Sequence, residues 1–165
     1  MFQSQSIAYL RQDYLPRIER VIAPLSLDQI WWRPNEASNS IGNLMLHLAG
    51  NVRQWVVGGV GRQDMTRDRD FEFSTREHLS ADELVRRLRS AVDDACAVIE
   101  RVTDAQLAEP RTIQRFDTTV FGAVYHVVEH FAMHTGQIIL LAKAQTGNDA
   151  GFYRVRPDGT PERLY

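Results

Sequence analysis

The strongest constraint on the fold is the spacing of apolar residues, which recur every three or four positions in four separate segments. Such spacing places the apolar side chains of each segment on one face of an α-helix. The four stripes consist of Ile7, Leu10, Tyr14, Ile18 and Val21; Ile41, Leu44, Leu48, Val52 and Trp55; Leu84, Leu88, Ala91, Ala95, Val98 and Val102; and Val120, Val124, Val127, Phe131, Ile138 and Leu141. Four amphipathic helices bury their stripes most simply against one another, so we predict an all-α fold, a four-helix up-down bundle over residues 1–147.

Capping and helix-breaking residues divide the chain further. Pro16 interrupts the first stripe and should either kink that helix or begin its second half. Residues suited to helix starts stand at Ser38 or Ser40, at Ser80, and at Asp117 or Thr118. The glycines in 58–61 should end the second helix, and residues 58–79 should form a long loop of the kind that covers or binds ligands. Residues 148–165 are expected to be an irregular tail that packs on the bundle or on a partner chain.

Composition excludes several classes of partner. The 165 residues include 19 Lys and Arg against 21 Asp and Glu, which gives a net charge of -2. A nucleic-acid or anionic-membrane partner would favour a basic excess, and the longest apolar run, 138–142, is far too short to span a bilayer. The single cysteine allows no internal disulfide. We therefore expect a cytoplasmic protein that acts on a small molecule, with no nucleic-acid or membrane partner.

Three of the five histidines follow one another at one-turn intervals, at His126, His130 and His134. The outer two lie about 12 Å apart along a straight helix, so all three cannot bind one ion. Projection of the fourth helix places His134 within its apolar stripe, His130 at the edge and His126 further out. The pair His130 and His134 is therefore predicted to face the interior and bind a metal.

A third ligand is expected from a facing helix, where His47 lies at the margin of the second stripe. Three histidine nitrogens leave one coordination position open, which is typical of catalytic zinc sites. Zinc or nickel would suit the site best, with iron, copper or manganese as further options. Asn51 and Gln137 are candidates for contacts to the ligands or the substrate, and His126 is a candidate base.

Other patterns have simpler interpretations. The residues His126 to His130 match H-x-x-E-H, a zinc-protease motif, but Glu129 projects away from the apolar stripe. His78 is interpreted as a surface residue and Cys96 as a packing residue.

Two segments carry a resemblance to a known family. Residues Asn39 to Asn51 and Glu129 to Gln137 resemble the second-helix and fourth-helix signatures of the DinB-like (YfiT-like) superfamily. Residues Thr66 to Phe73 and Gly151 to Tyr153 are similar to a subgroup of unknown function within it. The resemblance implies a four-helix bundle, often a homodimer, with a divalent metal held by three residues. Matched position by position, the ligands are His47, His130 and His134, and His126 has no ligand role.

The resemblance also implies a range of functions. Its characterised members include thiol-dependent S-transferases and an isomerase that uses low-molecular-weight bacterial thiols, and some members are described as metal-dependent hydrolases. Three functions therefore remain open: transfer of a thiol cosubstrate to a small electrophile, hydrolysis of a small molecule, and non-enzymatic binding of a metal or a stress metabolite. The inner face of the fourth helix carries no Asp or Glu, which favours thiol transfer. Hydrolysis would need His126 or a loop acid such as Asp70 as its base.

The large apolar residues also bear on assembly. The three tryptophans and the aromatic residues of the tail present more apolar surface than a short bundle can bury. Together with the resemblance, this favours a homodimer.

Overall fold

The computed structural model describes residues 1–76 and 78–165, and most of these residues are helical. The α-helices are α1 (Phe2–Ile7), α2 (Leu15–Ile22), α3 (Leu27–Trp31), α4 (Ile41–Val52), α5 (Arg69–Ser74), α6 (Ala81–Arg101) and α7 (Val120–Thr146). The segments Ala8–Tyr14 and Arg53–Val60 are π-helical, and Asp104–Ala108 is a 3-10 turn. The strands β1 (Pro110–Ile113), β2 (Phe116–Thr119), β3 (Tyr153–Val155) and β4 (Pro161–Arg163) form two antiparallel hairpins.

The mainly helical fold predicted from the apolar spacing is confirmed, but the expectation of an all-α chain is corrected by the two hairpins. The up-down four-helix arrangement stays a prediction. None of the helices in the described residues combines the length and the apolar character that crossing a bilayer requires.

Pro16 determines how the first helical region is built. It lies in the first turn of α2, directly after the π-helical segment Ala8–Tyr14. Proline has no N–H to donate, and its ring would clash with a carbonyl of the preceding turn in an uninterrupted α-helix. A π-helical segment before it changes the hydrogen-bonding register, and the proline then occupies a helix start. This agrees with the prediction that Pro16 begins the second half of the helix.

The helix α4 runs through the interior of the molecule. Its N-terminus is capped by Ser40, whose Oγ accepts a hydrogen bond from the N–H of Asn43 at 3.1 Å. Every residue of α4 except Gly50 is buried, because α5, α6 and α7 all pack against it. Gly42 allows close packing of Trp31, since a Cβ at this position would lie 2.8 Å from the indole ring. The predicted apolar stripe of α4 is buried as expected, but the helix is covered on its other faces as well.

The segment predicted as a long loop contains the helix α5. Asp68 caps this helix by accepting a hydrogen bond from the N–H of Phe71 at 2.9 Å. The side chain of Asn43 ties it to α4, donating from Nδ2 to the carbonyl oxygen of Glu72 at 2.8 Å. Arg33 donates to Asn43 Oδ1 at 2.6 Å and completes this connection. The segment is thus held against α4 by specific polar contacts.

The hairpin of β1 and β2 leads directly into α7. Its turn residues Gln114 and Arg115 both have positive φ angles, 53° and 69°, as a two-residue hairpin turn requires. The side chain of Ile113 packs so closely on Gly59 that a Cβ there would collide with it. The predicted helix start at Asp117 or Thr118 is wrong, because both residues belong to β2 and α7 begins at Val120.

The C-terminal segment forms an ordered hairpin, which corrects the expectation of an irregular tail. Tyr165 anchors it, donating from its hydroxyl to Asp13 Oδ1 at 2.6 Å. The guanidinium of Arg17 bonds to the same carboxylate at 2.7 Å and lies over the ring of Tyr165, 4.9 Å from its centroid. A largely buried Asp13 is thus paired with a cation and a phenol, which fastens the tail to the first helical region.

Candidate metal centre

The central position of α4 carries His47 into the interior. Its side chain is nearly completely buried, and its ring packs against Phe73 with 4.6 Å between the ring centroids. The Nε2 atom of His47 lies 2.9 Å from Nε2 of His130 on α7. The helix α4 thus directs one imidazole at a histidine of the facing helix.

The helix α7 supplies His130 and His134, one turn apart. Their ring centroids are 4.4 Å apart and the rings are nearly perpendicular, while His47 and His134 are separated by 5.1 Å. One possible ligand atom from each of the three histidines lies within 4.8 Å of the other two. Three ligands around a tetrahedral zinc ion are separated by about 3.4 Å, so only small side-chain shifts are needed. The group can hold a metal ion, as the sequence predicts.

The protonation of the histidine nitrogens is suited to metal binding. The Nε2 atoms of His47 and His130 lie 2.9 Å apart. If neither atom carries a proton, their lone pairs repel each other unless a cation lies between them. Burial, with smaller contributions from His134 and His47, lowers the pKa of His130 to about 3, and burial also lowers the pKa of His134. Both rings are therefore neutral at physiological pH, which leaves their lone pairs for a metal.

Hydrogen bonds at the Nδ1 atoms orient two of the rings. His134 donates from Nδ1 to Gln137 Oε1 at 2.6 Å, and His47 donates from Nδ1 to Glu72 Oε2 at 3.1 Å. These bonds fix the tautomers that leave Nε2 for the metal, as is usual for histidine ligands. Gln137 thus contacts a predicted ligand, as expected from its position three residues after His134.

Comparison with protein families identifies the relatives of the chain. A profile of the family described as "Protein of unknown function (DUF1572)" matches residues 3–156. The chain belongs to this family. No curated protein sequence matches it.

Solved structures share the fold of this DUF1572 protein. A DinB-like protein from Bacillus cereus ATCC 10987 is 15% identical, with a TM-score of 0.68, over 90% of this chain and 93% of that one. A conserved protein from Enterococcus faecalis is 14% identical, with a TM-score of 0.74, over 88% and 97% of the two chains. DUF1572 is a DinB-like family, so the resemblance found in the helix signatures is confirmed. At these identities the likeness shows the fold.

A buried ion pair supports His47 from the side opposite the other histidines. The guanidinium of Arg67 donates from Nε to Glu72 Oε1 and from Nη2 to Glu72 Oε2, both at 2.6 Å. Both side chains are 7% exposed. Because Nδ1 of His47 carries a proton, the Arg67 Nη2 atom 3.1 Å away bonds to the carboxylate and not to the ring. Burial alone would raise the pKa of Glu72, but hydrogen bonds from Arg67 and His47 outweigh it and hold this pKa below its usual value.

The sequence interpretation missed Glu72 and Arg67, and it named Asp70 as the candidate acid of this segment. Asp70 is exposed, whereas Glu72 faces α4. A signal was present at Gly50, a glycine within a helix, where it lowers helix stability. A Cβ at this position would collide with Glu72 Oε1 and lie 2.8 Å from Arg67 Nε. The glycine makes room for the ion pair against α4.

The remaining candidates, His126 and Asn51, lie together next to the histidine group. The ring of His126 packs between those of Trp55 and His130, with centroid distances of 4.1 and 5.2 Å. Asn51 Nδ2 is 3.5 Å from His126 Nε2. His126 is outside the group of three that can hold a metal, and burial lowers its pKa.

Three alternative patterns have simple structural explanations. Glu129 is exposed, away from the histidine group, so the H-x-x-E-H arrangement is not assembled. His78 is an exposed residue that stacks on Trp31 at 5.7 Å. Cys96 is completely buried in α6, and burial raises the pKa of its thiol to about 11, which suits a packing residue.

Proposed function

We propose that this protein is a divalent-metal-dependent enzyme that transfers a low-molecular-weight thiol to a small electrophile. The observation that carries the proposal is the group of His47, His130 and His134, which offers three nitrogen ligands on packed helices. Sites with three protein ligands and an open position are typical of catalysis, whereas structural zinc sites use four. Imidazole ligands suit zinc, nickel, copper and iron, and zinc or nickel is the metal that we expect.

The metal would supply a Lewis acid that lowers the pKa of a thiol bound at the open position. The chain's own residues orient the ligands and exclude water. Glu72 and Gln137 hold the rings of His47 and His134 in orientation, so that the ligand nitrogens need only small shifts to converge on a metal. Phe73 packs on His47 and keeps water from that side of the ring.

The state of Glu72 favours a thiol over water as the nucleophile. Among the described residues, Glu72 is the buried carboxylate in contact with the histidine group. Both of its oxygens accept hydrogen bonds from Arg67, and one also accepts from His47. A carboxylate engaged in this way is a poor general base. Attack by water benefits from a base, whereas a thiol with a pKa of about 8.5 ionises more readily.

Hydrolysis of a small molecule is the second candidate function, and the position of His126 favours it. The ring of His126 stacks on that of His130 with 5.2 Å between centroids. A half-buried, neutral imidazole at this distance could accept a proton from an attacking water. A non-enzymatic role in metal or metabolite binding is the third possibility.

The test compares thiol and water as nucleophiles. Metal-loaded protein is incubated with a panel of bacterial thiols and 1-chloro-2,4-dinitrobenzene, and adduct formation is followed by absorbance. Thiol transfer predicts turnover that needs both metal and thiol and is lost in His134→Ala. A parallel panel of esters and amides is assayed without thiol. Turnover there that is lost in His126→Ala would favour hydrolysis, and no turnover in either panel would favour binding alone.

A further inference from the structure

Two polar atoms next to the histidine group have no hydrogen-bond partner within residues 1–76 and 78–165. They are Asn51 Oδ1 and Trp55 Nε1, and their side chains are 5% and 7% exposed. Buried polar atoms are nearly always paired, because an unpaired one loses its hydrogen bonds to water without replacement. Two unpaired atoms one helical turn apart therefore point to a group that they bind.

The two side chains meet at one ring. Asn51 Nδ2 lies 3.5 Å from His126 Nε2, and the Trp55 ring centroid lies 4.1 Å from that of His126. The His126 ring is in turn 5.2 Å from the ring of His130. The two unpaired atoms thus belong to a small polar cluster that adjoins the metal centre. His126 is only half-buried, so it is the member of the cluster that reaches solvent.

The chemistry of the two atoms limits the group that would bind to one that offers both an acceptor and a donor. The Trp55 N–H requires an acceptor, and the Asn51 oxygen requires a donor. A carboxylate offers acceptors only, and an ester likewise lacks a donor. An amide offers a carbonyl oxygen and an N–H without a charge, and so it can satisfy both atoms. We propose that Asn51 and Trp55 bind the amide group of a small ligand, its carbonyl facing Trp55 and its N–H facing Asn51.

The cluster narrows the class of thiol that the enzyme would use. A thiol with an amide a few bonds from its sulfur, such as an N-acylated aminothiol, would place its amide at Asn51 and Trp55 while its sulfur reaches the histidine group. This step rests on the proposed function, whereas binding of the amide itself does not. The site should discriminate strongly between an amide and its ester, because the ester has no N–H and would leave the buried Asn51 oxygen unpaired.

The test uses the unaltered chain and matched probes. N-ethylacetamide and ethyl acetate differ only in the N–H, and N-acetylcysteamine and 2-mercaptoethyl acetate repeat this comparison with a thiol. Binding is followed by the NMR resonance of the Trp55 indole N–H, assigned by its absence in Trp55→Phe. The indole of Trp31, whose Nε1 donates to the Leu79 carbonyl at 3.0 Å, serves as the reference. We expect both amides to shift the Trp55 resonance saturably and at least tenfold more tightly than the esters, with the shift lost in Asn51→Leu.

Each other outcome has a defined meaning. Equal binding of the esters would overturn the proposal, because the Asn51 oxygen would then play no part. Tighter binding of acetate would overturn it in favour of a carboxylate site, and no shift with any probe would assign a buried water to the two atoms. The amide–ester comparison needs no variant, so poor folding of Asn51→Leu would not affect it. Amide binding without thiol turnover would refute the proposed function alone, and turnover without the shift would refute the amide site alone.

Discussion

Glu72 Oε2 accepts a hydrogen bond from His47 Nδ1 at 3.1 Å, which joins helix α5 to the histidine group. The bond fixes the tautomer of His47 and keeps a negative charge behind the ring. Arg67 compensates this charge, so the arrangement can be buried without an unpaired ion.

Removal of the Glu72 charge should weaken metal binding. Glu72→Gln keeps the size of the side chain but loses the carboxylate that orients His47. Loss of such a partner typically lowers metal affinity about 10–100-fold. Chelator competition measures the affinity, and Asp70→Asn, an exposed acid on the same helix, is the matched control. Equal affinities in the two variants would contradict the role of Glu72.

The ligand set should separate cleanly by substitution. We expect the unaltered chain to bind roughly one divalent ion, as a three-histidine site would. Removal of any one ligand should abolish most of this binding, as tested by His47→Ala, His130→Ala and His134→Ala. His126→Ala should retain the ion, because His126 lies outside this group. Elemental analysis after purification without chelator gives the content. Loss of metal in His126→Ala with retention in His134→Ala would show that the ligand pair on α7 is the other one.

Gly50→Ala should destabilise the fold and loosen the metal centre. The new Cβ would collide with Glu72 and crowd Arg67, so the buried ion pair must move away from α4. We expect a loss of about 1–3 kcal/mol in the free energy of unfolding, together with weaker metal binding. Urea unfolding measures the first effect and chelator competition the second.

The control for this variant is Gly136→Ala. Gly136 is also helical, but nothing lies within 4 Å of a Cβ built there. Alanine should therefore be neutral or stabilise the protein by up to about 1 kcal/mol. If both glycine variants behave alike, the close approach at Gly50 has no energetic consequence.

Alkaline pH should destabilise the protein partly through Cys96. Burial raises the pKa of this thiol to about 11, above the unfolded value of about 8.5. The unfolded chain then releases the proton first, so this contribution is complete below pH of about 8 and is lost as the pH rises towards 11. Between about pH 8 and 10 the loss should be about 2 kcal/mol.

Urea unfolding over this pH range, compared with Cys96→Ala, isolates this contribution. Other titrating groups affect both proteins alike, so the variant should show a flatter pH profile, whatever its stability at neutral pH. Parallel profiles would mean that Cys96 ionises equally in both states.

The exposed face of α7 should mediate the predicted homodimer. It carries four exposed large apolar residues, Phe121, Tyr125, Met133 and Leu140. Such a row is typical of an interface, and two-fold pairing is the commonest closed form. Light scattering at micromolar concentration should give about twice the chain mass of 18.9 kDa.

Charge on this face should dissociate the dimer. Tyr125→Glu should shift the mass to that of one chain, because dimerisation would bury the new carboxylate. Val155→Glu, which changes an exposed apolar residue of the C-terminal hairpin, should leave the mass unchanged. A monomer mass for the unaltered chain would refute the prediction outright.

Local periodicity was enough to indicate the four long helical segments and the histidine pair, but it missed α5 and placed the start of α7 too early. The spacing of apolar residues is a property of neighbouring positions along a helix, and His130 and His134 share a face at any helix position. The helix signatures around His47 and His134 were also sufficient to indicate the DinB-like family. These features depend on residues no more than a few turns apart.

Tertiary structure alone decided which charged residues are buried. Arg67 and Glu72 lie in a run of alternating charges that, as a sequence, is typical of a solvated loop. Their burial depends on contacts with Gly50 and His47, about twenty residues away, and no local pattern encodes such pairing. The hairpin before α7 is likewise held by the packing of Ile113 on Gly59. Sequence periodicity specifies which face of a helix is apolar. Whether a charged or polar side chain is buried depends on the partner that neutralises it. Such partners come from distant segments, which meet only in the folded chain.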